Sequence, residues 1–308
     1  MSTVLDNSRI SKHLGQVSEY KSTYDPELLV NEPRASNRGH INVDDDDLPF
    51  VGFDTWNAYE VSALTFEGLP VAGVAKITYP CSSKYIVESK SIKLYFNSFN
   101  MFKCGNNMKE VLEHIAHQAR HDLSKLLETD VEVHIIPSSY ANNINAQTIF
   151  DHRYKTLEDI LDVDNERFEV YQESDNLLQF EEVEGNILGH YNEYLHSALL
   201  KSNCRVTSQP DWGDVYIYMH GDFLKAPSRM SLLKYIISFR DECHFHEEIC
   251  ETIYVRLLEK YEPDELCVTC LYARRGGIDI NPSRASKEEL LPNVLKNTLT
   301  LHNKTGKQ

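Results

Sequence analysis

The sequence predicts an α+β fold made of two successive halves, each reading strand, strand, helix, helix, strand. Three observations predict it. Stretches 56–66 and 70–79 are crowded with β-branched and aromatic residues around Glu67-Gly68-Leu69, the mark of two strands with a tight connection. Over 107–127, Leu112, Ile115, Ala116, Ala119, Leu123 and Leu126 recur at three- and four-residue spacing, which lays one apolar stripe along a helix. The order then restarts near residue 186, and Ser98-Phe99-Asn100 falls on Ser238-Phe239-Arg240 at an offset of 140, the pattern of an internal duplication.

The elements follow in order. The first fifty residues are polar and turn-rich, with Pro26, Pro33 and Gly39, so regular structure is expected from about Trp56. The run Asp44 to Asp47 reads as a solvated, self-repelling stretch, because a calcium loop spaces its ligands alternately. Helices are expected at about 89–99 and 107–127, then a strand where Val131, Val133 and Ile135 alternate with polar residues. The acidic segment 137–185 carries little pattern beyond a strand near Phe168–Tyr171. Helical spacing runs from Ile187 to Leu200. In the strand 213–220, Val215, Ile217 and Met219 face one way and Tyr216, Tyr218 and His220 the other. Leu232, Leu233, Ile236 and Ile237 mark a helix, Phe245, Ile249, Ile253 and Leu257 another, and Leu266 to Tyr272 a final strand. The halves are thus 1–150 and 186–308, with 151–185 as the link.

Charge narrows the function. Thirty-one Lys and Arg against forty-seven Asp and Glu leave −16 over 308 residues. Phosphate neutralisation needs an excess of clustered cations, so neither nucleic acid nor an anionic membrane is an expected partner. Apolar residues at 41% and charged residues at 25% fit an ordinary globular chain. Seven scattered cysteines in a chain of this size read as reduced thiols. The start, Met1 to Gly15, lacks a basic region followed by an apolar one, and no apolar run nears the ~20 residues of a membrane span. A soluble, cytoplasmic protein is expected.

Metal signals are weak. His114, His117 and His121 share helical spacing, but Glu113, Gln118, Arg120 and Asp122 surround them, as on a wet polar face. His246-Glu247-Glu248-Ile249-Cys250 imitates His-Glu-x-x-His without a third ligand. Cys267 and Cys270 fall on opposite faces of a strand, where core packing suits them better than zinc. No metal is expected.

Cys204 differs, because it lies in the polar, turn-rich link Leu200 to Gly213. Nucleophilic thiols need partial exposure and nearby cations, and Lys201 and Arg205 are close in sequence. Asp211, just past Pro210, suits a proton donor. A lone Cys with a nearby Asp is a weak signal, and spacing alone favours a plain loop thiol. Glu88 and Glu247 each stand near a helix start, where a carboxylate either matches adjacent N–H donors of a guanine-like ring or merely offsets the helix dipole. Arg274-Arg275-Gly276-Gly277 suits an anion site or a solvated turn, and Lys90 and Lys93 are further cations. There is no Gly-x-Gly-x-x-Gly, so a Rossmann cofactor domain is not supported.

Taken together, Glu88 to Tyr95, Ser202-Asn203-Cys204 through Gln209-Pro210-Asp211-Trp212, Ser238-Phe239-Arg240, Phe245-His246-Glu247 and Arg274 to Pro282 resemble one family. It is the NADPH-dependent 7-cyano-7-deazaguanine reductases of queuosine biosynthesis, in their longer, two-halved form. The likeness runs from about Tyr20 to Arg284 and is faintest over 101–185. It departs at Ser283, where an aromatic residue is expected.

The resemblance implies tandem tunnelling-fold units, an antiparallel sheet with paired helices on one face, closed around a channel by a homodimer or higher homo-oligomer. It implies Cys204 as the nucleophile on the nitrile and Asp211 as proton donor. Val87, Glu88, Ser89, His246 and Glu247 would hold the substrate. Ser89, Lys90, Arg275 and Gly276 would contact NADPH. Two other readings of such a chain are a zinc cyclohydrolase on the same fold, separable by metal analysis, and a non-catalytic purine or pterin binder, for which Cys204 would be dispensable.

Overall fold

A computed structural model describes residues 21, 23–141, 149–182, 189–223, 225–297 and 300–308. The expectations about the extreme amino terminus, and about Ile187 and Leu188, lie outside these residues.

Seven strands carry the fold: β1 Val51–Leu64, β2 Pro70–Pro80, β3 Glu132–Pro137, β4 Gly189–Ser197, β5 Pro210–Phe223, β6 Glu265–Tyr272 and β7 Ile278–Ala285. With Lys155–Thr156 and Lys201–Asn203 they form one nine-stranded sheet in the order β3-β2-β1-β7-β6-β5-β4. Every pairing along that path is antiparallel, and only Lys155–Thr156 joins β4 in parallel. The β7–β1 pairing fuses the two ends of the chain, setting Ile280 opposite Trp56 and Asn281 opposite Thr55.

Four long helices cover one face: α1 Ser89–Ser98, α2 Met108–Leu127, α3 Arg229–Ser238 and α4 His246–Tyr261. Ile92, Tyr95, Ile115 and Leu123 pack on Trp56, Ala75, Ile77 and Val133 beneath the first pair. Leu232, Ile236, Ile249 and Ile253 pack on Val215, Ile217, Val268 and Cys270 beneath the second. Each such side chain, wholly removed from water, contributes roughly 1.5–3 kcal/mol of apolar transfer. The expected facing of β5 holds: Val215, Ile217 and Met219 lie under the helices, and Tyr216 and Tyr218 turn to the opposite layer. Leu291, Leu295 and Leu301 of the carboxyl-terminal segment pack onto that second face.

Four expectations are corrected. Ordered structure begins well before Trp56, with Asn31–Pro33 pairing Tyr85–Val87 and short helical turns at Pro26–Leu28 and Ala35–Arg38. Residues 189–197 form a strand rather than a helix. Leu195 and Ser197 are buried while Tyr194 faces Tyr218, a period of two that the chance four-residue spacing of Tyr191 and Leu195 obscured. Phe168–Tyr171 is irregular: Tyr171 donates to Phe168 O (2.7 Å) and accepts from Asp241 N (2.8 Å), with no strand beside it. The strand ending at Tyr272 is not the last, because the Arg275–Ile278 turn returns the chain as β7.

At Ser283 the hydroxyl bonds Thr269 Oγ1 (2.8 Å), and Gly52 crosses so closely that a Cβ there would lie 2.1 Å from Ser283 O. That tight, polar contact leaves no room at Gly52 for any side chain. Among the described residues no helix is long and apolar enough to cross a membrane.

Candidate active site

A cavity of about 230 Å³ opens between the two helix pairs. Val87, Glu88, Ser89, Lys90, Cys204, Asp211, His246, Glu247, Arg275 and Gly276 all line it. These ten residues were singled out from five separate stretches of sequence, and the fold brings every one to the same walls. Trp56, Ile278 and Ile280 form its apolar floor.

Each wall has a local cause. Tyr85–Val87 pairs with Asn31–Pro33, and Glu88 N donates to Val30 O (2.9 Å), which fixes the entry to α1. Glu88 is the N-cap: its carboxylate accepts from Lys90 N (3.2 Å) and Ser91 N (2.7 Å), satisfying amides that a helix start leaves unpaired. Burial raises its pKa, and those two backbone bonds oppose the rise.

Cys204 follows the strand Lys201–Asn203, which pairs with the start of β5 so that Ser202 lies opposite Asp211. Cys204 comes two residues after Ser202, and strand alternation therefore turns it toward the same side as Asp211. The loop closes through Cys204 N to Gln209 O (2.8 Å) and Ser208 N to Cys204 O (2.9 Å), with Ser208 left-handed at φ 54°. The thiol is half-buried. Neither cation expected to serve it does so directly. Arg205 pairs with Glu248 (3.2 Å) and bonds Asn37, while Lys201 bonds Asn203 Oδ1 (2.8 Å) and Arg240 O (2.5 Å).

His246 opens α4 and stacks on Tyr272, ring centroids 3.8 Å apart and 19° from parallel. Its Nε2 stands 3.4 Å from Asp211 Oδ2, and Arg275 donates to the other oxygen. Burial works against the Asp211 anion, but His246 and Arg275 outweigh it and hold this carboxyl below its usual range. Arg275 arrives on a two-residue hairpin whose Gly276 (φ 57°) and Gly277 (φ 79°) are both left-handed, a turn that favours glycine at each place. A Cβ on Gly277 would strike Glu60, 2.7 Å away.

Glu247 is 2% exposed, and its Oε1 has no hydrogen-bond partner among the described residues. Burial first, then the charge of Asp54, raises its pKa to about 8.

His244, Val206 and Thr207 also line the cavity and were missed. So was a buried charge cluster beneath it. Arg34 bonds Asp54, Arg38 bonds Glu251 (2.9 Å), and Arg284 bonds both Asp54 (2.8 Å) and Glu251 (2.8 Å). Two charges at apolar-face positions, Asp54 in β1 and Glu251 among Ile249, Cys250 and Ile253, were the available signal. The expected solvated run gives up one member to this cluster, since Asp45 pairs with Arg38 at 2.6 Å.

The metal candidates separate. Cys250 is in the core, donating toward Val268 O and Pro282 O (both 3.6 Å), while His246 faces the cavity. His114, His117 and His121 are exposed along α2, and Cys267 and Cys270 pack in opposite layers. Among the described residues no group of three or more His, Cys, Asp or Glu is placed to hold a metal.

Comparison with known proteins gives the family. Residues 20–135 match the family model described as nitrile reductase, 7-cyano-7-deazaguanine-reductase N-term, and residues 210–290 match that of QueF-like protein. The NADPH-dependent 7-cyano-7-deazaguanine reductase of Legionella pneumophila (strain Paris) is 39% identical over 287 residues, 93% of this chain and 94% of the relative. The enzyme of that name from Ralstonia nicotianae is 40% identical over 286 residues, 92% and 96% of the two chains. The chain belongs to the 7-cyano-7-deazaguanine reductase family. Val87 to Lys90 fall within the first family match, and Asp211, His246, Glu247, Arg275 and Gly276 within the second. Cys204 lies just ahead of the second.

The reductase cavity also fits its dinucleotide reductant. Lys90, Lys93 and Arg275 are three cations lining this cavity, Lys93 also paired with Glu60 (3.0 Å) and Arg275 with Asp211. Beside them the left-handed Gly276 exposes backbone that a side chain would cover.

Proposed function

We propose that this reductase converts the nitrile of 7-cyano-7-deazaguanine to the primary amine 7-aminomethyl-7-deazaguanine, with two NADPH per substrate, as a step toward queuosine. The observation that carries the reading is the single cavity lined by Cys204, Asp211, His246, both buried glutamates and the Lys90–Arg275 wall. The names of the relatives support the same substrate and reductant.

Cys204 adds through Sγ to the nitrile carbon. Asp211, an anion in the free site, takes the thiol proton and hands it to the nitrile nitrogen, giving a covalent thioimide. The new C=N is a better hydride acceptor than the nitrile. NADPH, held by Ser89, Lys90, Arg275 and Gly276, supplies a hydride in each of two rounds. After the first, a proton reaches nitrogen and the carbon–sulfur bond breaks, so Cys204 leaves as thiolate and an imine remains. The second round completes the amine, and two protons in all are taken up from solvent. Glu88 and Glu247 orient the base through its N–H edge, with Val87 and Ser89 along its flank and His246 beside the reacting carbon. Oxidation of close to two NADPH per nitrile establishes the reaction class. A ratio of zero, with substrate bound, removes it.

The architecture is part of the proposal: residues 1–150 and 186–308 are two tunnelling-fold units joined by 151–185. Matching detail supports duplication. Ser91 donates to Glu88 O (2.7 Å) and Ser231 to Ser228 O (2.8 Å). Ser98 donates to Tyr95 O (2.6 Å) and Ser238 to Tyr235 O (2.7 Å), each ahead of a buried Phe. Among the described residues strand β3 pairs on one side only, with β2, which suits closure of a channel by a second copy. Light scattering of the purified protein tests the homo-oligomer. Seven unpaired cysteines suit the reducing cytoplasm.

A further inference from the structure

We propose that Glu247 waits for the substrate as a neutral carboxylic acid and holds it as a carboxylate, so that binding the base expels a proton. The inference rests on the reading that Glu247 receives the N–H edge of the deazaguanine, and it adds a proton linkage to that contact.

The argument begins with charge matching under the cavity. Three guanidinium groups, Arg34, Arg38 and Arg284, are buried there. Three carboxylates answer them. Asp54 takes Arg34 and Arg284, Glu251 takes Arg38 and Arg284 with Arg34 at 3.5 Å, and Asp45 takes Arg38. Among the described residues no cation forms an ion pair with Glu247. An ionised Glu247 would be a fourth negative charge, withdrawn from water beside the Asp54 anion, and an uncompensated buried charge costs several kcal/mol. The group avoids that cost by keeping its proton.

The neighbours from other elements agree. Burial and then Asp54 raise the proton affinity of Glu247, and Arg34, the residue's own backbone amide and Arg284 only partly offset them. The phenols of Tyr79 and Tyr272 are themselves buried and neutral, so they bring no positive charge. Across the cavity, Asp211 is matched by Arg275. Glu88 makes the contrast: it accepts two helix-start amides, whereas Glu247 Oε1 accepts nothing. Two carboxyls on one cavity are thus prepared differently.

Ligand chemistry supplies the switch. The edge of a guanine-like base offers adjacent ring and exocyclic N–H donors, which need two acceptor oxygens. A protonated carboxyl presents one acceptor and one donor, and its O–H would oppose a donor. The carboxylate fits both, so binding favours ionisation and the proton leaves. By linkage, affinity rises about tenfold per pH unit as pH approaches 8 and levels off above it. The same requirement selects against bases that lack the paired donors, since they leave the acid form in place.

The test uses full-length Cys204→Ala protein, which stops the covalent step, titrated calorimetrically with 7-cyano-7-deazaguanine. Titration at pH 7 in buffers of different ionisation enthalpy is expected to show close to one proton released. Kd is expected to weaken about tenfold from pH 7 to pH 6. Binding with no buffer dependence and a flat Kd overturns the inference while leaving the substrate assignment intact. No binding at any pH overturns both. The double variant Cys204→Ala/Glu247→Gln should bind without proton release, and an unchanged release would assign the proton elsewhere and overturn the proposal. Infrared difference spectra of the Cys204→Ala protein give a readout independent of the Gln variant's affinity. A protonated-carboxyl C=O band should disappear on binding, and its absence from the free protein also overturns the proposal.

Discussion

His246 Nε2 lies 3.4 Å from Asp211 Oδ2, and both line the cavity that holds Cys204. If Asp211 ferries the thiol proton to the nitrile nitrogen, Asp211→Asn keeps the shape and removes the carrier. General acid–base groups typically contribute 10²–10⁴-fold, so thioimide formation should slow by about that factor with substrate affinity nearly unchanged. Intact mass of Cys204 against time, without NADPH, measures it. Adduct forming at the wild-type rate would remove Asp211 from the step.

Arg275 has two jobs in this site, and one substitution reads both. Arg275→Ala removes a cation from Asp211, whose carboxyl His246 and Arg275 together depress against burial. The acid limb of kcat/KM should therefore move to higher pH, and KM for NADPH should rise. A pH profile with an unmoved acid limb and normal KM would confine Arg275 to closing its hairpin.

His244 donates to two carboxylates, Glu248 (3.0 Å) and Glu242 (3.1 Å). Burial alone would lower its pKa, but the two partners overcome that and raise it to about 9. The folded value lies above that of the free side chain, near 6.5. The clamp's stabilisation is then complete below that value and is lost as pH rises through about 9. Urea midpoints from pH 6 to 10 should fall across this window in the wild type and fall less in His244→Gln.

Arg284 is fully buried between Asp54 and Glu251. Arg284→Met leaves both acids underpaired, and breaking a buried pair costs about 3–5 kcal/mol. A large drop in urea midpoint is expected, and Arg284→Lys should rescue it only in part, because an ammonium cannot reproduce the planar fork. An unchanged urea midpoint would show that the cluster relaxes freely.

Much of this protein was legible in its residues alone. The apolar stripe of Leu112, Ile115, Ala119 and Leu123 needed only helix periodicity, and the alternation of Val215, Ile217 and Met219 only strand periodicity. Residue type and spacing pick out Glu88, Lys90, Cys204, Asp211, Glu247, Arg275 and Gly276, and the family resemblance adds Val87, Ser89 and the substrate role of His246. Other features depend on contacts between distant segments. Residues 189–197 became a strand because β5 offers them a partner, which local spacing cannot show. Arg34 and Arg38 look like surface charges in a turn-rich stretch, and only the approach of Asp54, Glu251 and Arg284, from far along the chain, buries them. Periodicity and motif are properties of neighbours in sequence, so the sequence itself determined the helices, most strands and the chemistry-bearing side chains. Charge matching depends on distance through space, so only the tertiary structure decided that Arg275 answers Asp211, that Arg205 is spent on Glu248, and that among the described residues no cation pairs with Glu247.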